Sequence, residues 1–267
     1  MSDLWEVYAL RYASFAARTR RQTFLGVDPH DAAPMPIDYY VWLLRSEGRD
    51  ILVDTGFDGE EGKRRGRQIE RLPREALALL GVEARAIADV ILTHLHYDHA
   101  GTLDDFPAAR FHVQEAEMAY ATGRCMTYAH LREVYSVEHV VGMVRRVFAS
   151  RVVFHDGDGE VAPGVTVHRI GGHAKGIQVV VAKTARGPVV LASDTAHFYE
   201  NVEQYRPFLI VHDVEATLRG YDRLRQLAGG DGRRIIPGHD PLVMRRYPPP
   251  APGLSGIAVR LDVPPLE

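Results

Sequence analysis

The sequence predicts an α/β domain in which two β-sheets pack together and are covered by helices. Three observations predict it. Apolar segments with strand character fall into two groups, within residues 5–92 and 151–192, and a helical stretch separates the groups. A further helix follows the second group, so helices lie both between and outside the strands.

Taken in order, the first strands are Trp5-Glu6-Val7-Tyr8-Ala9-Leu10, Asp38-Tyr39-Tyr40-Val41-Trp42-Leu43-Leu44 and Asp50-Ile51-Leu52-Val53-Asp54, rich in β-branched and aromatic residues. Residues 16–36 between them are polar, basic and proline-containing, too long for a tight hairpin and suited to covering a site. Helical periodicity marks Arg74 to Leu80, with Gly81 as its stop. A strand at Ala88-Asp89-Val90-Ile91-Leu92 follows. Residues 114–148 read as helix, first Gln114 to Ala121 and then His130 to Phe148, broken near Thr122-Gly123. Leu131, Val134, Val137, Val140, Val141 and Val144 form the apolar face of the second piece. Strands return at Arg151–Phe154, Val165–Ile170, Ile177–Val181 and Pro188–Ala192. A helix from Val214 to Leu227 precedes the short strand Arg234-Ile235-Ile236. From Tyr247 a proline-rich tail is expected to stay extended. The apolar alternation after it is expected to form either an edge strand or a contact with a second subunit in a homodimer.

A chain of 267 residues with no visible internal linker is expected to be a single domain, residues 1–267. Its 46% hydrophobic and 25% charged residues are ordinary for a soluble globular protein. A net charge of -3 disfavours nucleic acid. The single cysteine, Cys125, excludes an internal disulfide framework and fits a reducing cytoplasm; a small packing residue is its expected role, with a reactive thiol beside Arg124 as the alternative. The N-terminus carries no basic segment followed by an apolar core, and no apolar run reaches the length of a membrane span, so neither secretion nor a membrane is expected. The run Lys63-Arg64-Arg65-Gly66-Arg67 is read as a solvated loop or helix face, with contact to an anion as the alternative.

The chemistry lies in Thr93-His94-Leu95-His96-Tyr97-Asp98-His99, at the end of the apolar strand. One histidine among 13 carries no site geometry, but three with an aspartate this close do. Buried together without a metal they would leave polar groups short of partners, at about 1–3 kcal/mol each. His94 and His96 project the same way from an extended segment, while the following turn swings Asp98 and His99 to a neighbouring point. That predicts two adjacent divalent metal ions, zinc first, with iron, manganese or cobalt as alternatives.

With these residues the chain resembles the metallo-β-lactamase-fold hydrolases, whose signature His-x-His-x-Asp-His is matched by His94 to His99. Ile51-Leu52-Val53-Asp54-Thr55-Gly56, Gly171-Gly172-His173, Ala192-Ser193-Asp194 and Ile236-Pro237-Gly238-His239 resemble the family's other motifs in order. The resemblance implies an αββα sandwich of two mixed sheets. It assigns His94, His96 and His173 to one metal, Asp98, His99 and His239 to the other, and Asp194 as their bridge. Asp54 is then read as an acceptor orienting a ligand imidazole, with a turn or strand cap as its alternative.

Within the family the chain is most similar to N-acyl-homoserine lactonases and related lactone hydrolases. The residues that carry this are His96-Tyr97-Asp98-His99-Ala100-Gly101, the helices near 114–148, Ser193-Asp194-Thr195-Ala196 and Gly238-His239-Asp240. The resemblance implies ring opening of a small lactone by a metal-held hydroxide, with Asp98 relaying a proton to the leaving alkoxide. A cyclic amide, another ester or a thioester is the nearby alternative, and an iron-dependent sulfur oxygenase of the same fold a more distant one. Those lactonases place a tyrosine three residues after the bridging aspartate, where this chain has His197. His197 is read either as a hydrogen-bond donor to the oxyanion or as a solvent-facing histidine beside the site, with Tyr199 as a second candidate donor. His112, His130, His139, His155, His168 and His212 are read as structural.

Overall fold

Strands β1 (Glu6–Phe15), β2 (Ile37–Ser46) and β3 (Arg49–Val53) form an antiparallel run, described in a computed structural model that covers residues 4–266. Both faces of this run are apolar. Val7, Ala9, Tyr40, Trp42, Leu44, Ile51 and Val53 face one way, whereas Leu10, Tyr39, Val41, Leu43 and Leu52 face the other. A strand buried on both faces needs apolar residues at successive positions, which is what β2 supplies.

After β3 the chain forms α1 (Gly59–Arg65), the two-residue β4 (Gln68–Ile69) and α2 (Pro73–Ala78). β5 (Asp89–Ile91) then pairs parallel with β3, and β6 (Arg110–Gln114) pairs parallel with β5. Helices α3 (Glu115–Ala121), α4 (Ala129–Arg132) and α5 (Val137–Phe148) lead to β7 (Val152–His155), parallel to β6. The second sheet begins with β8 (Gly159–Ala162), β9 (Val165–Arg169), β10 (Gln178–Thr184) and β11 (Gly187–Ser193), each antiparallel to the next. α6 (Tyr199–Gln204) and α7 (Val214–Leu227) follow, and β12 (Ile235–Pro237) joins β11 in parallel. After α8 (Leu242–Arg246) the chain returns to the first sheet as β13 (Ala258–Arg260), antiparallel to β1. The segment after the proline tail is therefore an edge strand.

The layers follow from the alternation. Val165, Val167, Val180, Ala182, Val189 and Leu191 of the second sheet pack on the inner face of the first, making the central core. Full burial stabilises each of these valines and Leu191 by roughly 1.5–3 kcal/mol. The first sheet's outer face packs against Ala76 and Leu77 of α2, Met118 of α3 and Val140 and Met143 of α5. The second sheet's outer face packs against Tyr221 and Leu224 of α7, a helix whose start is fixed by Asp213 accepting from the amide of Ala216. Both sheets are mixed, and the order is helix, sheet, sheet, helix. No helix among the described residues is long and apolar enough to cross a membrane.

The expected helix from His130 to Phe148 is corrected to two pieces, separated at Glu133–Ser136. Tertiary contacts break it. Tyr97 donates its amide to the carbonyl of Val134, Tyr135 forms a β-bridge with His96, and the Tyr135 hydroxyl bonds the buried Glu117. Val137 accordingly leaves the expected apolar face and is 70% exposed. Cys125 packs half-buried against the outer core, in keeping with a packing residue.

β3 and β5 are parallel, as are β9, β11 and β12, so their C-terminal ends gather at one rim of the sandwich. Every candidate ligand lies in a loop leaving that rim.

Candidate metal centre

The loop after β5 supplies His94, His96, Asp98 and His99, the loop after β9 supplies His173, and the ends of β11 and β12 supply Asp194 and His239. All are buried. The ligand-capable atoms of His94, His96, His173 and Asp194 lie within 4.8 Å of one another, as do those of Asp98, His99 and His239. Asp194 stands between the groups. Its Oδ2 is 3.2 Å from His173 Nε2 and 4.0 Å from His94 Nε2, while its Oδ1 is 3.0 Å from His239 Nε2 and 3.2 Å from His99 Nε2. Gly238 permits this approach, because a Cβ there would sit 2.6 Å from the Ser193 carbonyl oxygen and 3.0 Å from Asp194 Oδ1.

The imidazoles are aimed from behind. His173 and His239 each use Nδ1 on a backbone carbonyl, of Ile210 and of Asp38, both at 2.8 Å. His99 Nδ1 is 2.7 Å from Asp54 Oδ2, and Asp54 also accepts from the amide of Thr93 at 2.7 Å and from its hydroxyl at 2.8 Å. These contacts hold Asp54 at a φ of 62°, a left-handed conformation that Asp tolerates better than most residues. His96 turns Nδ1 inward instead, 3.0 Å from His173 Nε2. Such outer bonds set which ring nitrogen faces inward.

The donor set fits divalent metal. His94 Nε2 and His99 Nε2 are buried with no hydrogen-bond partner, at a point where other imidazoles and a carboxylate converge. Burial pulls His94, His96 and His197 well below the ordinary imidazole pKa, leaving neutral rings. At His99 burial opposes the charge, but the carboxylates of Asp194, Asp98 and Asp54 outweigh it and raise the pKa well above the usual value. At Asp194 burial is likewise outweighed, by His197, His239 and His99, so its carboxyl stays ionised far below the usual range. An ionised Asp194 beside the neutral rings of His94 and His96 suits a divalent cation, while the raised pKa of His99 and of His239 means that metal bound there would have to displace a proton from each.

His197 is not solvent-facing. It is buried, its ring stacks on Phe208 with centroids 3.5 Å apart, and its Nε2 lies 2.9 Å from Asp194 Oδ2. It thereby forms a third close group with Asp194 and His239. Tyr199 is set aside as a donor at this site: its ring lies under Arg246, at 3.9 Å, and lines a different pocket behind the Asp194 loop. His130 and His212, read as structural, line the cavity that opens onto the cluster, which has a volume of about 330 Å³.

Residues 36–239 match the family described as the Metallo-beta-lactamase superfamily. The chain belongs to the metallo-beta-lactamase superfamily. An N-acyl homoserine lactonase of Bacillus sp is 30% identical over 221 residues, 76% of this chain and 82% of the relative. The N-acyl homoserine lactonase AiiB of Agrobacterium fabrum is 30% identical over 224 residues, 77% of this chain and 80% of the relative. The crystal structure of a quorum-quenching N-acyl homoserine lactone lactonase superposes with a TM-score of 0.73 at 26% identity, covering 88% of this chain and 92% of that one.

Some residues that shape the superfamily site here had no signal in the sequence. Glu117 of α3 is fully buried and bonds the loops carrying His96 and His173. Asp38 contributes its peptide, not its side chain, donating its amide to the His239 carbonyl while accepting from the His239 ring. The charge run also departs from a solvated face. Lys63, Arg64 and Arg65 end α1, Gly66 closes it in the left-handed conformation, and Arg65 and Arg67 then line the cavity.

Proposed function

We propose that the chain is a dinuclear metal-dependent hydrolase that opens the ring of a small lactone. The observation that carries it is the position of Asp194, with one carboxylate oxygen toward each group of imidazoles. Such a carboxylate could be shared by two ions, which His94, His96 and His173 on one side and Asp98, His99 and His239 on the other would hold. When bound, such a pair supplies a hydroxide nucleophile at neutral pH and polarises the substrate carbonyl. Zinc is the first assignment, since imidazole and carboxylate suit it. The lactone is supported by the names of the 30%-identical relatives.

The chain's own residues supply the rest. Asp98 lines the cavity, its oxygens 3.7 Å from His99 Nε2 and His239 Nε2, placed to carry a proton to the leaving alkoxide. His197 turns Nε2 to the centre, 2.9 Å from Asp194 Oδ2; with Asp194 committed to metal, that N–H would be the donor to a developing oxyanion.

The test is metal analysis together with hydrolysis of a panel of five- and six-membered lactones, thioesters and phosphodiesters. Ring opening to a hydroxy acid is expected only in the metal-loaded protein. His197→Ala is expected to slow it by about tenfold to a thousandfold with metal content intact. His197→Tyr is expected to retain more activity on acyl-homoserine lactones than His197→Ala. Cleavage of a thioester or phosphodiester with no lactone turned over would overturn the substrate class. Metal loss in His197→Ala would make His197 a ligand instead of a donor.

A further inference from the structure

Two arginines in the cavity wall have no acidic partner. Arg18, from the long segment after β1, donates Nε to the Thr23 hydroxyl at 3.1 Å and Nη2 to the Gln22 carbonyl. Its guanidinium carbon lies 4.6 Å from the centre of the Phe208 ring. Arg67, just past α1, donates Nε to the Tyr97 hydroxyl at 3.3 Å and Nη1 to the Arg65 carbonyl at 2.8 Å, and rests on Phe15 at 4.2 Å. Both are partly buried, both line the cavity above the candidate metal centre, and neither is in an ion pair among the described residues.

Other arginines nearby behave differently. Arg65 is held by Glu61 and lies over Tyr97, and Arg20 and Arg206 share Asp28 and Glu200. Carboxylates were therefore available to this part of the fold, and Arg18 and Arg67 are left without one. The two also act on each other. Burial lowers the pKa of Arg18, and the charge of Arg67 lowers it further, offset in part by Tyr39 and Tyr97. The hydroxyls of those tyrosines lie 3.1 Å apart in the cavity wall. Two guanidiniums held by neutral acceptors, each with an uncommitted Nη group, make a ready site for a bidentate anion. Leu131, Val134, Leu209 and Val211 add apolar surface to the same cavity.

We propose that Arg18 and Arg67 form an anion subsite and that the substrate is a lactone carrying a carboxylate. Its reaction rests on the ring-opening reading above; its binding does not. The carboxylate sits on the guanidiniums of Arg18 and Arg67, and the ring carbonyl reaches the metal centre. Hydrolysis then breaks the ring C–O bond, adds one water and yields a hydroxy diacid.

The experiment uses metal-loaded protein and γ-lactones bearing a carboxylate on a tether of increasing length, each beside its neutral carboxamide. Binding by calorimetry and kcat/KM are read separately. For at least one tether the carboxylate is expected to be preferred by on the order of tenfold to a hundredfold. Added salt should erode that preference. Arg18→Gln and Arg67→Gln should collapse the ratio, and Arg67→Lys should keep part of it. Melting temperature and metal content identify any variant that misfolds, and the salt dependence of the wild-type ratio needs no variant at all. Equal binding of carboxylate and carboxamide at every tether length, or a preference that survives both Gln variants, overturns the subsite whether or not lactones are hydrolysed. A preference that depends on the arginines without turnover of any lactone upholds the subsite and overturns the ring-opening reading.

Discussion

Asp194→Ala is expected to empty both metal positions together and to lower turnover by about a thousandfold or more, ~4 kcal/mol of barrier. The reason is geometric. Each Asp194 oxygen faces a different group of imidazoles, so one truncation removes a ligand from two sites. It also removes the negative charge that holds His99 and His239 in place, and without it those buried rings face one another across an unpaired gap. Metal per chain measured by plasma emission, with lactone hydrolysis on the same sample, checks it. Two ions retained at full occupancy would show that Asp194 is not shared. Asp194→Asn keeps the shape and removes the charge. An intermediate metal content in that variant would assign the difference to electrostatics.

Glu117→Ala is expected to destabilise the fold by about 3–5 kcal/mol, the largest effect anticipated outside the candidate ligands. Glu117 Oε1 accepts from the amide of Leu95 and from the hydroxyl of Tyr135, and Oε2 accepts from the amide of Gly176, all at 3.0 Å. Truncation orphans three buried donors, and that loss exceeds the relief of no longer burying a carboxylate, whose pKa burial has raised. Leu95 lies between His94 and His96, and Gly176 follows His173 by three residues. The clamp therefore ties together the two loops of one ligand group. Gly176 has no alternative there: a Cβ would fall 2.2 Å from the Glu117 amide nitrogen. A fall in the urea midpoint together with metal affinity weaker by about tenfold to a hundredfold is the expected pair of readings. Glu117→Gln should recover only part of the loss, because its amide nitrogen meets a backbone N–H. Stability within about 1 kcal/mol of wild type would remove the clamp from the account.

The most legible parts of the fold were those whose signal is periodic. β2, β10, β11 and above all α7, found at Val214–Leu227 as its periodicity predicts, owe their form to repeated apolar positions facing a core. β6 and β8 give no such signal, because Arg110-Phe111-His112-Val113-Gln114 and Gly159-Glu160-Val161-Ala162 carry too few apolar residues to show a period. The break at Glu133–Ser136 is invisible in the sequence for a different reason. Local propensity favours continuing the helix, and only the contacts of Tyr135 with His96 and Glu117, distant in sequence, break it. The same division holds at the site. Candidate ligands stood out through residue type and spacing. Glu117, the Asp38 peptide, Arg18 and Arg67 did not, since an acid or an arginine in a loop looks solvated until the fold shows what surrounds it.

The pairing of β13 with β1 has a consequence for aggregation. β1 is ten residues long, and its side away from β2 is covered by β4 at Ala13 and Ser14 and by β13 at Tyr8 to Leu10. The cover extends through the amide of Arg11 bonding the Ile257 carbonyl and the amide of Leu261 bonding the Val7 carbonyl. The sheet therefore ends at this edge in a three-residue strand, with Ala258 and Val259 buried and the Arg260 amide bonded to the Pro248 carbonyl, in place of a long apolar one. Cutting the chain after Tyr247 would uncover the hydrogen-bonding groups of residues 7–11 and leave a template for strand addition by another copy. Such a chain is expected to self-associate, scattering light at temperatures where the intact protein stays clear. The proline-rich tail thus carries the strand that keeps copies of this fold from joining edge to edge.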